Sequence, residues 1–209
     1  MKVFVAAMCA AAIVVAAGTA DASTKYAGIK GGLNIGSLTG DDVDGYDSHN
    51  GFVGGAYFGY DFAGQFGLRI DGLYIMGGGE GPYNTVDGDT HDAIIKLDYI
   101  QFPVLLVMHI PANDALRFDI ALGPTFSFNT THDAEIPEHG ETEEIPNVNS
   151  FELGAAIGGS LVYKLSSMSL MLEGRYYMGA TNVIDVDPSD VKNRGIGIMA
   201  GVEFPLGAK

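Results

Sequence analysis

The sequence predicts an all-β chain: an eight-stranded antiparallel up-and-down transmembrane β-barrel with short periplasmic turns and long extracellular loops. Three observations predict it: an export signal at the start, eight segments in which apolar and polar side chains alternate, and connections of alternating length. The 209 residues suffice for one domain. After the first twenty residues, no stretch is long and apolar enough for a membrane-spanning helix.

Residues 1–22 have the pattern of a cleaved signal peptide. Lys2 is followed by the apolar residues 3–17, and Ala20-Asp21-Ala22 forms a small-x-small cleavage site. The barrel domain is then residues 23–209. The single cysteine, Cys9, lies inside the apolar stretch, so the mature chain is expected to contain no disulfide and no thiolate metal site. This pattern predicts export to the outer membrane of a Gram-negative type envelope.

Seven of the eight predicted strands alternate regularly between two faces, as a period of two requires. They are residues 27–35, 52–62, 66–76, 116–129, 151–164, 170–178 and 195–204. The fourth strand, residues 94–110, is less regular, because Pro103 interrupts it and residues 104–108 are apolar on both faces. We expect a bulge or a change of register there.

The connections alternate between tight turns and long polar loops. The turns are residues 63–65, 111–115 and 166–168, and the loops are residues 39–50, 77–93, 130–149 and 180–193. Each strand has about 10 to 14 residues, which is enough to cross the hydrocarbon layer at a tilt. An even strand count places both chain ends on the side of the short turns.

The residues opposite the bulky apolar face carry balanced charge. They are five cations, Lys30, Arg69, Arg117, Lys164 and Arg175, and five anions, Asp71, Asp119, Glu152, Glu173 and Glu203. In a soluble sandwich or barrel, the alternative, such charges would face water around a dry core. Because the remaining acids lie mostly in the loops, we predict that these ten residues line the lumen and neutralise one another.

The net charge of −15 excludes the basic face that nucleic-acid binding needs. No cofactor motif and no rigid metal site is present. His132, Asp133, Glu135, Glu138, His139, Glu141, Glu143 and Glu144 share one loop, and Asp41, Asp42, Asp44 and Asp47 share another, but neither spacing matches a metal motif. We expect at most weakly bound divalent cations on these loops, bridging them to the phosphates of lipopolysaccharide.

Three stretches carry a resemblance to a known family. They are Gly28-Ile29-Lys30-Gly31-Gly32-Leu33-Asn34, Leu97-Asp98-Tyr99-Ile100-Gln101-Phe102-Pro103-Val104-Leu105, and Ala121-Leu122-Gly123-Pro124-Thr125-Phe126. Together with Arg175-Tyr176-Tyr177 and Thr181-Asn182, they resemble the PorT-type outer-membrane β-barrel proteins, similar in architecture to the OmpA and OmpX barrels. The resemblance implies a fold, because these signatures are structural and not catalytic.

The function expected from these patterns is that of a non-enzymatic integral outer-membrane protein. Eight strands enclose a lumen that side chains fill, so a charge-paired plug is expected, with acidic loops serving structural or interaction roles. The alternatives are a narrow channel for small solutes and, with less support, a lipid-modifying enzyme, since no Ser/His/acid set falls on one face. The expected partners are outer-membrane lipids, lipopolysaccharide and the barrel-assembly machinery, and the expected state is a monomer.

Overall fold

The computed structural model describes residues 24–40, 47–84, 90–136, 141–145, 148–183 and 191–207. Within these ranges, nine antiparallel strands follow one another. They are β1 (Thr24–Thr39), β2 (Asp47–Ala63), β3 (Phe66–Asn84), β4 (Thr90–Pro111), β5 (Leu116–Ile136), β6 (Glu141–Glu144), β7 (Phe151–Lys164), β8 (Ser169–Gly179) and β9 (Lys192–Leu206). The predicted signal peptide lies outside the described residues.

Eight of these strands close into a barrel. Each strand pairs with the next along the chain from β1 to β5 and from β7 to β9. β5 pairs with β7, and β1 pairs with β9 to close the ring. The short strand β6 lies outside the ring, paired with residues 133–136 at the extracellular end of β5. The predicted eight-stranded up-and-down barrel is thus confirmed. Nowhere in the described ranges is there a helix long and apolar enough to cross a membrane.

Side chains alternate across the wall because successive Cβ atoms of a strand point to opposite faces. In β1, Ile29 and Leu33 are 61% and 68% exposed on the outside, whereas Lys30 between them is 5% exposed. The outer face of the other barrel strands likewise carries exposed Leu, Ile and Phe, and the inner face carries buried polar residues. An apolar exterior around a polar interior is the arrangement of a barrel that is solvated by lipid.

The strands run farther toward the extracellular side than the sequence pattern predicts. β4 has 22 residues and β5 has 21, where 10 to 14 were expected. Residues 77–84 and 130–136, which the sequence assigned to loops, continue as paired strands. Beyond the hydrocarbon layer, alternation of apolar and polar side chains is no longer required, although backbone groups still form hydrogen bonds across the ladder.

β4 contains the irregularity that was expected of the fourth strand. The register between β4 and β5 shifts at Asp98/Tyr99, while Pro103 stays in register with Thr125. The predicted register change in the fourth strand is therefore present, although it lies at Asp98/Tyr99 and not at Pro103. The run after Pro103 is apolar on both faces because Leu105 and Val107 point into an apolar layer inside the barrel.

The interior is layered along the barrel axis, as the inward residues of β4 demonstrate. From the extracellular end, Leu97 belongs to an apolar cluster at the rim, Gln101 to a polar level, Leu105 to the apolar layer, and His109 to a charged level near the periplasm. The apolar layer contains Val53, Leu73, Ile75, Leu105, Val107, Ala121, Ala156, Tyr177 and Met199. The lumen is therefore packed by alternating polar and apolar levels.

Candidate functional site in the barrel lumen

Five charged residues meet inside the barrel, and we call them the central network. Lys30 comes from β1, Arg69 and Asp71 from β3, and Glu173 and Arg175 from β8. All five side chains are almost completely buried. Residues two apart on a strand point to the same face, so the pairs on β3 and β8 both project inward.

The central network is held by direct ion pairs across the lumen. Lys30 Nζ lies 2.7 Å from Asp71 Oδ2 and 3.1 Å from Glu173 Oε2. Arg69 Nη2 lies 3.1 Å from Glu173 Oε2, and Arg69 Nε lies 3.1 Å from Asp71 Oδ1. Arg175 Nη2 donates to Asp71 Oδ2 at 2.7 Å and also pairs with Glu173. Three cations share two carboxylates, so the network carries one net positive charge.

Tyrosine rings fill the space beside the central network. The Tyr57 ring lies 5.3 Å from both Lys30 Nζ and Arg69 Cζ, measured to the ring centroid, within cation–π range. The ring fits because Gly28 faces it: a Cβ atom at Gly28 would lie 2.4 Å from Tyr57 Cζ. Glycine on one strand thus accommodates an aromatic ring from its neighbour, and the lumen is filled.

A second group of charges, the periplasmic network, lies nearer the short turns. His109 Nδ1 lies 2.7 Å from Asp119 Oδ1, and His109 Nε2 lies 2.9 Å from Asp61 Oδ1. Arg117 Nε donates to Asp119 at 3.0 Å, and Arg117 Nη2 donates to Glu203 at 3.0 Å. Carboxylates only accept hydrogen bonds, so His109 donates from both nitrogens as an imidazolium. With three carboxylates and two cations, this network carries one net negative charge.

The structure brings eight of the ten sequence-predicted lumen residues into these two networks. Glu152 is buried at a different level, where the Tyr99 hydroxyl hydrogen-bonds to it. Lys164 is not brought to the lumen networks: it is the last residue of β7, exposed beside the turn to β8. The alternation predicts that its side chain points inward. However, Lys164 lies at the periplasmic end of the barrel, beyond the packed interior.

Sequence reasoning missed Asp61 and His109 as members of the periplasmic network. His109 lies at the periplasmic end of β4, and its two carboxylate partners come from β2 and β5. A signal existed in the alternation, because His109 shares the inward face of β4 with Leu105 and Val107. What the alternation does not reveal is which residues meet across the lumen.

The acidic loop residues form no metal cluster within the described ranges, where no group of three or more His, Cys, Asp or Glu side chains converges. Glu135 pairs with Lys96, and His132 Nδ1 lies 3.0 Å from Asn129 Oδ1. Asp41, Asp42, Asp44, Glu138 and His139 lie outside the described residues, as do the side chains of Glu141, Glu143 and Glu144.

The family model for the outer membrane protein beta-barrel domain matches residues 22–185, which is more than half of the chain. The chain belongs to this family. Its location is accordingly the outer membrane, in agreement with the apolar exterior of the barrel. No curated protein matches the sequence.

Solved structures of other small barrels are similar to this one. Neisserial surface protein A superposes with a TM-score of 0.53 at 14% sequence identity, covering 88% of this chain and 99% of that protein. Ail, the attachment invasion locus protein of Yersinia pestis, gives a TM-score of 0.42 at 15% identity, covering 86% of this chain and 98% of Ail. At these identities, the likeness to the neisserial protein is one of fold alone.

Proposed function

We propose that this protein is a non-enzymatic integral outer-membrane protein whose lumen is closed by paired charges and whose extracellular strand ends and acidic loops form an interaction surface. The observation that carries the proposal is the central network, in which Lys30, Arg69, Asp71, Glu173 and Arg175 are buried against one another across the lumen. A barrel of eight strands is narrow enough for such side chains to occlude it.

The packing around the central network supports closure on both of its sides. Toward the extracellular side, the apolar-layer residues Leu73, Ile75 and Tyr177 follow the network residues along β3 and β8 and are each at most 4% exposed. Toward the periplasm, Tyr26, Tyr57, Val162 and Met171 form a second buried apolar cluster. A hydrated ion crossing this lumen would have to lose its water at both apolar levels, which is energetically unfavourable.

Conductance in planar lipid bilayers tests the closed lumen. The wild-type barrel should give no steady conductance, whereas a variant with both Arg117→Ala and Arg175→Ala should conduct intermittently, because one cation is lost from each network. Lys96→Ala is the matched control, since Lys96 pairs with Glu135 at a partly exposed position near the rim. Steady single-channel conductance of the wild type would replace this proposal with a narrow channel for small solutes.

The proposal also includes cleavage of the signal peptide, the branch of the family to which the protein belongs, and its partners. We infer removal of residues 1–22 by signal peptidase, membership of the PorT-type branch, insertion by the barrel-assembly machinery, and a monomer contacting lipopolysaccharide. The signal pattern and the three PorT-like stretches support the first two of these. Mass spectrometry of the membrane-extracted chain should find an N-terminus near Ser23, and an intact Met1 would contradict cleavage.

A further inference from the structure

Glu152 occupies a polar level between two apolar ones, which we call the outer polar belt and define as Tyr99, Gln101, Ser127, Glu152 and Asn193. On the periplasmic side of the belt lies the apolar layer. On the extracellular side lies the apolar cluster of Leu38, Ile95, Leu97, Ala134, Val183 and Val191, to which the Tyr99 ring also belongs. Each residue of the belt is at most 4% exposed.

The belt residues lie side by side around the lumen. Gln101 of β4 is the register partner of Ser127 of β5, and Ser127 is the register partner of Glu152 of β7. Neighbouring strands are about 4.8 Å apart, so the three inward side chains form one row. On the other side of Glu152, its Oε1 atom and the Asn193 carbonyl oxygen lie 2.8 and 3.2 Å from the point that a Cβ of Gly179 would occupy.

Glu152 differs from the other buried acids of the lumen in having no cationic partner in the described part of the chain. The Tyr99 hydroxyl donates a hydrogen bond to it, and its Oε2 atom has no donor among the residues that the structure describes. The central and periplasmic networks carry opposite net charges of one unit and so balance each other. The charge of Glu152 is left over, and an isolated buried carboxylate is strongly unfavourable.

Two further oxygen atoms of the belt lack a donor within the described ranges. The Gln101 amide donates from Nε2 to Ser127 Oγ at 3.1 Å, which leaves its Oε1 atom unpaired. Asn193 Oδ1 is also unpaired. The belt therefore presents one carboxylate oxygen and two amide oxygens, all of which are acceptors, and buried acceptors require a donor or a cation.

We propose that the outer polar belt binds a small monovalent cation, Na⁺ or K⁺, with Glu152 as the charged ligand. Carboxylate and amide oxygens are hard ligands that suit such ions. One carboxylate balances one positive charge, whereas a calcium site needs six to eight oxygens. The apolar levels above and below favour a small ion without its full hydration shell. This site lies beside the proposed plug and goes beyond the proposed function.

Thermal unfolding of the full-length barrel in detergent tests this site. The midpoint is followed by the loss of the compact band on a gel, in NaCl, KCl or N-methyl-D-glucamine chloride at equal ionic strength. Na⁺ or K⁺ should raise the midpoint by about 3 °C over the bulky cation, because a ligand that binds only the folded state stabilises it. Glu152→Gln should abolish this difference.

Glu80→Gln is the matched control and should retain the full salt effect, since Glu80 is half exposed and pairs with His49. Equal midpoints in the three salts would overturn the proposal, as would a salt effect that survives in Glu152→Gln. Stabilisation by CaCl₂ alone would overturn the choice of a monovalent ion.

If Glu152→Gln does not fold, infrared spectra of the wild type decide the matter. Exchange of the bulky cation for Na⁺ or K⁺ should convert a protonated carboxyl band into a carboxylate band. A spectrum that is unchanged on exchange would overturn the proposal.

Discussion

At the residue scale, the stability of the central network depends on carboxylates that each contact more than one cation. Asp71 contacts Lys30, Arg69 and Arg175, and its Oδ2 atom is shared between Lys30 and Arg175, so no pair is isolated. Removing a partner from a buried pair is much costlier than replacing the whole pair, because the charge that remains is desolvated without compensation. Arg69 is a suitable member to test, since it contacts both carboxylates and its side chain is 2% exposed.

Arg69→Ala should lower the free energy of unfolding by about 3–5 kcal/mol. Urea titration of the barrel in detergent, followed by circular dichroism, measures this change. Lys96→Ala removes a cation from a partly exposed pair with Glu135 and should cost about 1 kcal/mol or less. Equal losses for the two variants would indicate that the central network is solvated.

At the element scale, β4 shows how one strand faces two environments, the packed lumen on one side and lipid on the other. Leu105 is 1% exposed and packs inside the barrel, while the next residue, Leu106, points to the opposite face. Composition does not distinguish the two positions, because both are leucines in an apolar run. The register with β3 distinguishes them, since it sets Leu105 opposite Arg69 and Leu106 opposite Leu68.

Single cysteines at the two positions should report opposite environments. In a Cys9→Ser background, a bimane dye on Leu106→Cys should be quenched strongly by brominated lipid, and the same dye on Leu105→Cys only weakly. The measurement is fluorescence in vesicles with and without brominated acyl chains. Quenching of both dyes to the same extent would contradict the inward position of Leu105.

At the scale of the whole molecule, closure of the sheet determines the behaviour of the barrel. Pairing of β1 with β9 over residues 25–39 and 192–206 leaves the barrel ring without an exposed strand edge. Every strand of the ring must therefore separate from two neighbours at once for the barrel to open. Such barrels resist unfolding by detergent until they are heated, because there is no free strand edge at which unfolding can begin.

The chain should accordingly fractionate with the outer membrane and run as a compact, faster band on an unheated detergent gel. Boiling should convert this band to one near the mass of the unfolded chain. A variant ending at residue 190 lacks β9 and should give only the slower band. A faster band from that variant would contradict closure through β9.

The sequence predicted the wall of the barrel better than its contents. Alternation and loop lengths were sufficient for the strand count and for the side that faces lipid, because both follow from the two-residue period. The inward residues of β3 and β8 followed in the same way. Contacts across the lumen could not be predicted, because they depend on strand tilt and stagger, which the local pattern does not encode.

The particular errors have the same origin. The alternation of side chains in β7 predicts that Lys164 points inward. Because it lies at the end of the strand, alternation alone did not place it correctly. Leu105 and Val107 make the run after Pro103 apolar on both faces, so the alternation in β4 did not reveal that these two residues point into the lumen. The apolar layer they join is assembled from single residues on several strands, such as Val53 and Met199, and no single strand displays it.

Because the strands differ in length, the two sides of the barrel are unequal. β4 has 22 residues and β8 has 11, so one side carries roughly 35 Å more strand than the other. β6 adds to the height of the same side, where it pairs with β5. A neighbouring protein that approaches β3 to β5 meets long strands, whereas the strands it meets at β7 and β8 are shorter. Lateral crowding would therefore be directional, with different contacts on opposite flanks of a single barrel.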